Sequence, residues 1–161
     1  ILTIYEGTTA IQANDLVGRK TVRDGGQVAK AICTMIANTE QHLAAHANED
    51  CLAMKLALQR GRLAMESAID FIVSHGKADP KVAYAGAVPY LRLAGVVLCG
   101  WQMARALMAA LERIESDPAF YGAKVVTARF YADALLPQAE TLSAAVLGAG
   151  NTVNRMSADL F

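Results

Sequence analysis

The sequence is short of charged residues, of aromatic residues and of any excess of one charge sign. Charged residues make up 19% of the chain, whereas about 25% is usual for a globular domain. The simplest explanation is that part of the surface is covered, either by further polypeptide or by other subunits. Lysine plus arginine and aspartate plus glutamate number 15 each. This balance indicates neither a nucleic-acid groove nor an anionic membrane as a partner.

Cysteines are also few, and Cys33, Cys51 and Cys99 lie far apart without a CxxC motif. This spacing argues against a disulfide framework or a zinc site, and it favours a reducing compartment, so we expect a cytoplasmic protein. The beginning of the chain lacks the basic segment that opens a signal peptide. The most apolar run, from Leu93 to Trp101, is about half the length of a membrane-spanning helix, and we expect a buried core helix there.

Helix caps and breakers predict an all-α protein. Asp24-Gly25-Gly26 interrupts the chain after a short first helix and is the best candidate for a domain boundary. Asp79-Pro80 and Asp117-Pro118 each place an N-cap residue before a proline, which is typical of a helix start. We therefore expect a short N-terminal helix over about 9–23 and long helices over about 27–47, 50–75, 80–115 and 117–147.

Connections of two to eight residues between long helices predict an up-down antiparallel helical bundle of about four long helices. Prolines are expected to interrupt the fourth long segment at Pro89 and the last at Pro137. Gly148 and Gly150 are expected to end the last helix.

Apolar stripes predict which helix faces are buried. The second helix carries one stripe at helical spacing, formed by Val28, Ile32, Met35, Ile36 and Leu43. The third helix carries two, so we expect it to be central or shared with a partner. Its first stripe contains Leu52, Leu56 and Leu63, and its second contains Met54, Leu58, Met65, Ile69 and Ile72.

Metal chemistry is not indicated. His42 and His46 are one helical turn apart, but Leu43 stands where a zinc-protease motif has Glu, and two ligands are too few for a zinc site. A di-iron bundle needs Glu-x-x-His on two helices, and this chain has no such pair. We expect two surface histidines and no metal.

The segment from Ile4 to Gln12 carries the strongest chemical signal. It places a carboxylate, Glu6, beside Gly7 in an apolar lead-in, where the charged form is disfavoured and a carboxylate can become an effective base. Thr8 or Thr9 is the candidate N-cap of the following helix, whose first N–H groups could hold an anionic or carbonyl oxygen. The residues alone also allow a simpler interpretation, a capped surface helix with a solvated Glu6.

The run Tyr5-Glu6-Gly7-Thr8, followed by Ile11-Gln12, resembles the catalytic-base signature of flavin-dependent acyl-CoA dehydrogenases. The later run from Ala128 to Pro137 resembles the C-terminal extension of a larger-subunit branch of that family, which includes the bacterial 3-methylmercaptopropionyl-CoA dehydrogenases. The resemblance implies that residues 1–24 end the catalytic domain and that residues 25–161 form a helical-bundle extension.

The resemblance also implies a reaction, the oxidation of an acyl-CoA thioester to its trans-2-enoyl-CoA. Glu6 would remove the α-proton, its backbone N–H would help to polarise the thioester carbonyl, and FAD would accept the β-hydrogen as hydride. Gly7 would lie beside the substrate, and Thr8 and Thr9 would contact FAD. Ala10 stands where many relatives carry Gln or Glu, so no polar contact is expected from it.

An electron-transfer acceptor protein and a homo-oligomeric enzyme are further implications of the resemblance. The isolated chain is expected to be inactive, because the family builds its flavin site from upstream domains. For Arg129 we favour a structural salt bridge over a CoA phosphate, and we expect Tyr90 and Trp101 to be core or interface anchors. A non-catalytic helical module for oligomerisation or capping is the alternative that stays open.

Overall fold

The structure, a computed structural model, describes residues 6–153, 155, 156 and 159, with the backbone alone for Glu6 and Gly7. The regular elements of this part of the chain are all helical, which confirms the predicted fold class. In chain order they are α1 (Glu6–Asp15), a first π segment (Leu16–Val22), α2 (Gln27–Ala44), α3 (Glu49–His75), α4 (Pro80–Ala85), α5 (Ala87–Arg113), α6 (Pro118–Phe130), a second π segment (Tyr131–Leu135) and α7 (Gln138–Val153).

The bundle is built around two long helices, α3 and α5. Helix α3 packs against α2, α5 and α7, and α5 also packs against α1, α6 and α7. The short connections over 45–48 and 114–117 join helices that pack on each other, as in antiparallel helical hairpins. Helix α6, the second π segment and α7 follow one another with a break at Leu136-Pro137, where a kink was predicted. These elements form the predicted helical bundle.

Side-chain caps fix several helix starts that the sequence predicts. The Asn48 side chain accepts the N–H groups of Asp50 and Cys51 at 2.9 and 3.1 Å, and Asp117 caps α6 through the N–H of Phe120 at 3.1 Å. The Asn48 amide oxygen and the Asp117 carboxylate thus accept hydrogen bonds from N–H groups that have no partner within the helix. The caps therefore confirm the predicted starts of α3 and α6.

The predicted break after the first helix is also confirmed. The Asp24 carboxylate accepts the N–H groups of Gly26 and Val28 at 2.9 and 3.0 Å. Gly25 and Gly26 have φ angles of 67° and 79°, a left-handed region in which a side chain costs about 1–2 kcal/mol. The two glycines let the chain reverse sharply between the first π segment and α2.

Three predicted helix limits are wrong. Thr8 and Thr9 lie inside α1, so neither is an N-cap. The chain breaks at Gly86 rather than at Pro89, which instead lies in the first turn of α5, where no intrahelical N–H bond is needed. Helix α7 continues through both glycines to Val153, because Gly150 packs against α4: a Cβ there would lie 2.8 Å from the Cα of Val82.

The buried faces differ in part from the predicted stripes. On α3, the stripe from Met54 to Ile72 is buried as expected, whereas Leu52, Leu56 and Leu63 are 53%, 45% and 49% exposed. On α2, Val28 and Met35 are 61% and 52% exposed, so their predicted burial is wrong. Helix α2 instead turns a neighbouring face inward, which consists of Ala29, Cys33, Ile36, Thr39, Glu40 and Leu43. Glu40 belongs to this face because it pairs with an arginine of α3.

Helix α5 passes through the centre of the bundle. Within the described chain it is the one helix long and apolar enough to cross a membrane by length and composition, a test that core helices also pass. Its Leu93, Val97 and Leu107 are fully buried in the hydrophobic core, as predicted for a core helix. Gly100 allows close packing, since a Cβ there would lie only 2.6 Å from Cδ2 of Leu136.

Candidate functional site

The residues predicted to carry the chemistry lie at the start of an N-terminal arm, which we define as residues 6–22. Glu6 is the first residue of α1, and Gly7 follows it in the helix, but the side chains of both lie outside the described residues. Thr8 and Thr9 belong to the same first turn, and both are exposed. The four predicted site residues are therefore consecutive at one helix end, with the two threonines facing outward from the bundle.

A helix N-terminus has a defined chemistry. The N–H groups of the first turn point along the helix axis away from the helix body, and the helix dipole adds a partial positive charge there. Such an end can hold a phosphate or carboxylate, or the oxygen of a carbonyl group on which negative charge develops. The beginning of α1 is thus suited to an anionic group or to a thioester oxygen.

The far end of the arm is anchored in the bundle. Val17 and Thr21 are buried, and the Thr21 hydroxyl shares a buried hydrogen bond of 3.1 Å with the Tyr90 hydroxyl of α5. Burial raises the pKa of Tyr90 above its usual value, so the phenol stays neutral at physiological pH. The Tyr84 hydroxyl lies where a Cβ at position 18 would stand, so a side chain there would have to displace it. These contacts hold the first π segment on the bundle, against which α1 also packs through the buried Ala13.

The anchor residues lie in the first π segment, Leu16–Val22, which directly follows α1. The N–H of Arg23 reaches the carbonyl of Gly18 at 3.1 Å, a bond that spans five residues instead of four. π-helical turns are rare and often occur at functional sites. No residue pattern in Leu16–Val22 signals such a turn, so the regular helix predicted to about residue 23 is wrong over this segment.

We predict that Tyr90→Phe lowers the free energy of unfolding by about 1–3 kcal/mol, because the buried Thr21 hydroxyl loses its partner. Urea denaturation measures the change. Adding Thr21→Val to the first variant should restore part of the loss, since both polar groups are then gone. An unchanged denaturation midpoint in Tyr90→Phe would show that the bond does not hold the arm.

A second polar cluster joins α2 to α3. Arg62 donates to both carboxylate oxygens of Glu40, at 2.8 and 3.1 Å, and to Glu66 at 3.0 Å. The Arg62 and Glu40 side chains are only 13% and 7% exposed, and the hydrogen bond to Glu40 raises the pKa of Arg62. Burial raises the pKa of the nearby Cys33 thiol to about 11, which leaves it protonated and unreactive. The cluster therefore has a structural role, the joining of α2 to α3, and no sequence pattern predicted it.

The other candidate residues have structural contacts. Arg129 pairs with Asp133 at 2.8 Å and with Asp50 of α3 at 3.0 Å, which confirms the predicted salt bridge. The Trp101 indole donates to the Thr39 hydroxyl at 2.8 Å. Among the described side chains, no group of three or more His, Cys, Asp and Glu residues could hold a metal ion.

Comparison with known proteins places this bundle in a family. Residues 28–157 match the family described as acetyl-CoA dehydrogenase C-terminal like. Over 156 residues the chain is 39% identical to 3-methylmercaptopropionyl-CoA dehydrogenase of Ruegeria pomeroyi, an alignment that covers 95% of this chain and 26% of that protein. It is 30% identical over 152 residues to the broad-specificity linear acyl-CoA dehydrogenase FadE5 of Mycobacterium tuberculosis, covering 84% of this chain and 24% of that protein.

A butyryl-CoA dehydrogenase of Syntrophomonas wolfei is 31% identical over 147 residues, which cover 85% of this chain and 23% of that protein. The chain thus spans about a quarter of the length of these curated relatives. The family match extends from the first turn of α2 to beyond the end of α7. The chain belongs to the acetyl-CoA dehydrogenase C-terminal like family.

Proposed function

We propose that the intact protein is an FAD-dependent acyl-CoA dehydrogenase in which Glu6 is the catalytic base. The observation that carries this proposal is the place of Glu6-Gly7-Thr8, at the first turn of an arm anchored on a bundle of this family. The three relatives are acyl-CoA dehydrogenases by name. The proposed reaction converts an acyl-CoA to the trans-2-enoyl-CoA.

In this reaction Glu6 takes the α-proton of the thioester, and the electron pair of that C–H bond becomes the new double bond. The first-turn N–H groups of α1 stabilise the negative charge that develops on the thioester oxygen. FAD, when bound, supplies the acceptor for the β-hydrogen, which leaves as hydride. Gly7, which has no side chain, allows the substrate to approach the backbone closely.

The residues at the start of α1 suit contact with a flavin cofactor. Thr8 and Thr9 are exposed on the first turn, and their hydroxyl groups can donate to or accept from a polar cofactor group. A helix start also favours the negative charge of a pyrophosphate. We propose that Thr8 and Thr9 contact FAD, that an electron-transfer protein receives the electrons, and that the enzyme is cytoplasmic.

The 161-residue chain, purified alone, is predicted to show no visible flavin absorbance and no acyl-CoA oxidation. Two exposed threonines and one helix start provide too little buried surface to retain a dinucleotide, because such sites enclose most of their ligand. Absorption spectroscopy of the chain after incubation with FAD and desalting is the measurement, with the intact protein as the positive control. A stoichiometric yellow product would contradict the prediction.

A second candidate function, a helical module for oligomerisation or capping, is favoured by the exposed stripe of α3. Leu52, Leu56 and Leu63 are each about half exposed on one face of a helix whose opposite face is core. We propose that this stripe contributes to a homo-oligomer. Sedimentation velocity should then show a dimer of the chain that Leu56→Lys weakens, whereas Val126→Lys on α6 does not. A monomer at all concentrations would favour capping within one polypeptide instead.

A further inference from the structure

An apolar groove lies between α2 and α5 on the outside of the bundle. It is open to solvent, has a volume of about 440 Å³ and is lined by Ile32, Leu98, Cys99, Trp101, Gln102 and Met103. We call it the α2–α5 groove. Five of these side chains are apolar or weakly polar, and the sixth, Gln102, is polar but uncharged. A groove of this composition is suited to apolar polypeptide side chains rather than to a charged ligand.

The groove continues towards the N-terminal arm. A smaller cavity of about 140 Å³ shares Ile32 and Leu98 with it and is bounded on the other side by Leu16, Lys20 and Thr21 of the first π segment. Val28, which is 61% exposed, lines the same cavity. The arm that carries Glu6 and the α2–α5 groove are therefore parts of one continuous surface.

The opposite end of the groove becomes more polar. Trp101 is shared with a neighbouring depression that also includes His42, Arg105 and the half-exposed Met35. The Arg105 guanidinium lies 5.8 Å from the centre of the Trp101 ring. Apolar residues in the middle with cationic and polar residues at the border are the arrangement found in protein interfaces.

The position of the arm indicates which partner covers this surface. Leu16 lies ten residues after Glu6, so a regular helix between them rises about 15 Å. The relatives are roughly four times as long as this chain, which covers 26% of one and 24% of another. A catalytic domain that receives Glu6 into its active site is thereby held within about 15 Å of Leu16, which borders the cavity that continues the groove. A second copy of the chain has no such tether.

We propose that the α2–α5 groove, together with the cavity beside the first π segment, is the docking surface for the catalytic domain of the same polypeptide. This inference rests on the proposed function, since it is the position of Glu6 in that domain's active site that brings the two bodies together. Docking here holds the arm between two folded parts and thus fixes the position of the base. It also accounts for the exposure of Val28, which was predicted to be buried and lines the cavity beside the first π segment.

Cys99 provides a direct probe, because it lines the groove and is exposed, whereas Cys33 and Cys51 are buried. The intact holoprotein and the 161-residue chain are treated with N-ethylmaleimide, and peptide mass spectrometry follows the modification of each cysteine. We expect Cys99 to react at least about tenfold more slowly in the intact protein. Cys33 and Cys51 should react slowly in both and serve as internal references.

Two matched valine variants of the intact protein test the surface itself. Val28→Lys places a charge in the cavity beside the arm and is expected to increase Cys99 labelling. Val126→Lys, at a residue that is 69% exposed on α6 and does not line the groove, should leave the labelling unchanged. Equal labelling of Cys99 in the wild-type intact protein and in the chain overturns the proposal.

Other occupants give different results, and each would also overturn the proposal. Slow labelling of the isolated chain that becomes faster on dilution identifies a second copy in the groove. Protection of the intact protein that requires added acyl-CoA identifies a ligand. The Glu6→Gln holoprotein is labelled in parallel. If that variant keeps full turnover with a protected Cys99, the assignment of the base fails while the docking surface stands.

Discussion

Replacement of Glu6 by glutamine in the intact protein is expected to lower turnover by about 10²- to 10⁴-fold, the range that a positioned general base contributes. Glutamine has nearly the same shape but cannot accept the α-proton. The position of Glu6 on the first turn of α1, beside Gly7 and Thr8, is retained in the variant, so FAD should remain bound. The measurement is dye-linked acyl-CoA oxidation together with the visible flavin spectrum.

A matched substitution separates the loss of the base from a general effect of removing charge. Glu112 is exposed in the last turn of α5, far along the chain from the arm, and Glu112→Gln should keep both turnover and flavin. If Glu6→Gln retains turnover similar to that of the control, the base lies elsewhere in the protein. Loss of flavin together with activity would instead show that Glu6 supports the cofactor site rather than the chemistry.

The second large effect is expected from Arg62→Met, which should lower the free energy of unfolding by about 3–5 kcal/mol, because it leaves Glu40 buried without its partner. The Glu40 side chain is 7% exposed, and both of its oxygens are bonded to Arg62. Chemical denaturation of the chain measures the loss. The double variant Arg62→Met with Glu40→Leu should recover most of the stability, since an apolar pair can replace a buried ion pair.

Arg129→Met provides the control for this prediction. Arg129 also bonds two carboxylates, Asp133 and Asp50, but its side chain is 39% exposed and water can solvate the groups left behind. Its loss should therefore shift the denaturation midpoint much less than the loss of Arg62. Equal shifts for the two variants would show that burial does not make the ion pairs of Arg62 more important for stability than those of Arg129.

The sequence predicted most of the helix starts, because the local chemistry of caps decides them. Asp117 and the Asp24-Gly25-Gly26 break each act through a few neighbouring backbone groups. The buried face of α2 could not be predicted in this way. It depends on the ion pair between Glu40 and Arg62, which is 22 residues later in the sequence. The apolar stripe that contains Val28 and Met35 predicts a different buried face and gives no sign of this ion pair.

The candidate site shows the same division. Its residues could be proposed from Glu6-Gly7-Thr8 because consecutive residues at a helix start share one location. The anchor could not, because the bond between Thr21 and Tyr90 joins residues 69 positions apart. The first π segment has no residue pattern of its own, and the reason for a glycine at position 18 is the Tyr84 hydroxyl, which is 66 residues away in the sequence. The assignment of the base itself stays a prediction.

Gly100 and Leu136 set a condition on how this bundle can change during evolution. A side chain at position 100 would meet Leu136, whose Cδ2 lies 2.6 Å from the place of a Cβ, and Leu136 is itself almost fully buried. Neither position can therefore enlarge by itself without pushing the α6–α7 pair away from α5. Relatives that carry alanine at the first position should carry a shorter side chain at the second, so the two sites are expected to vary together across the family.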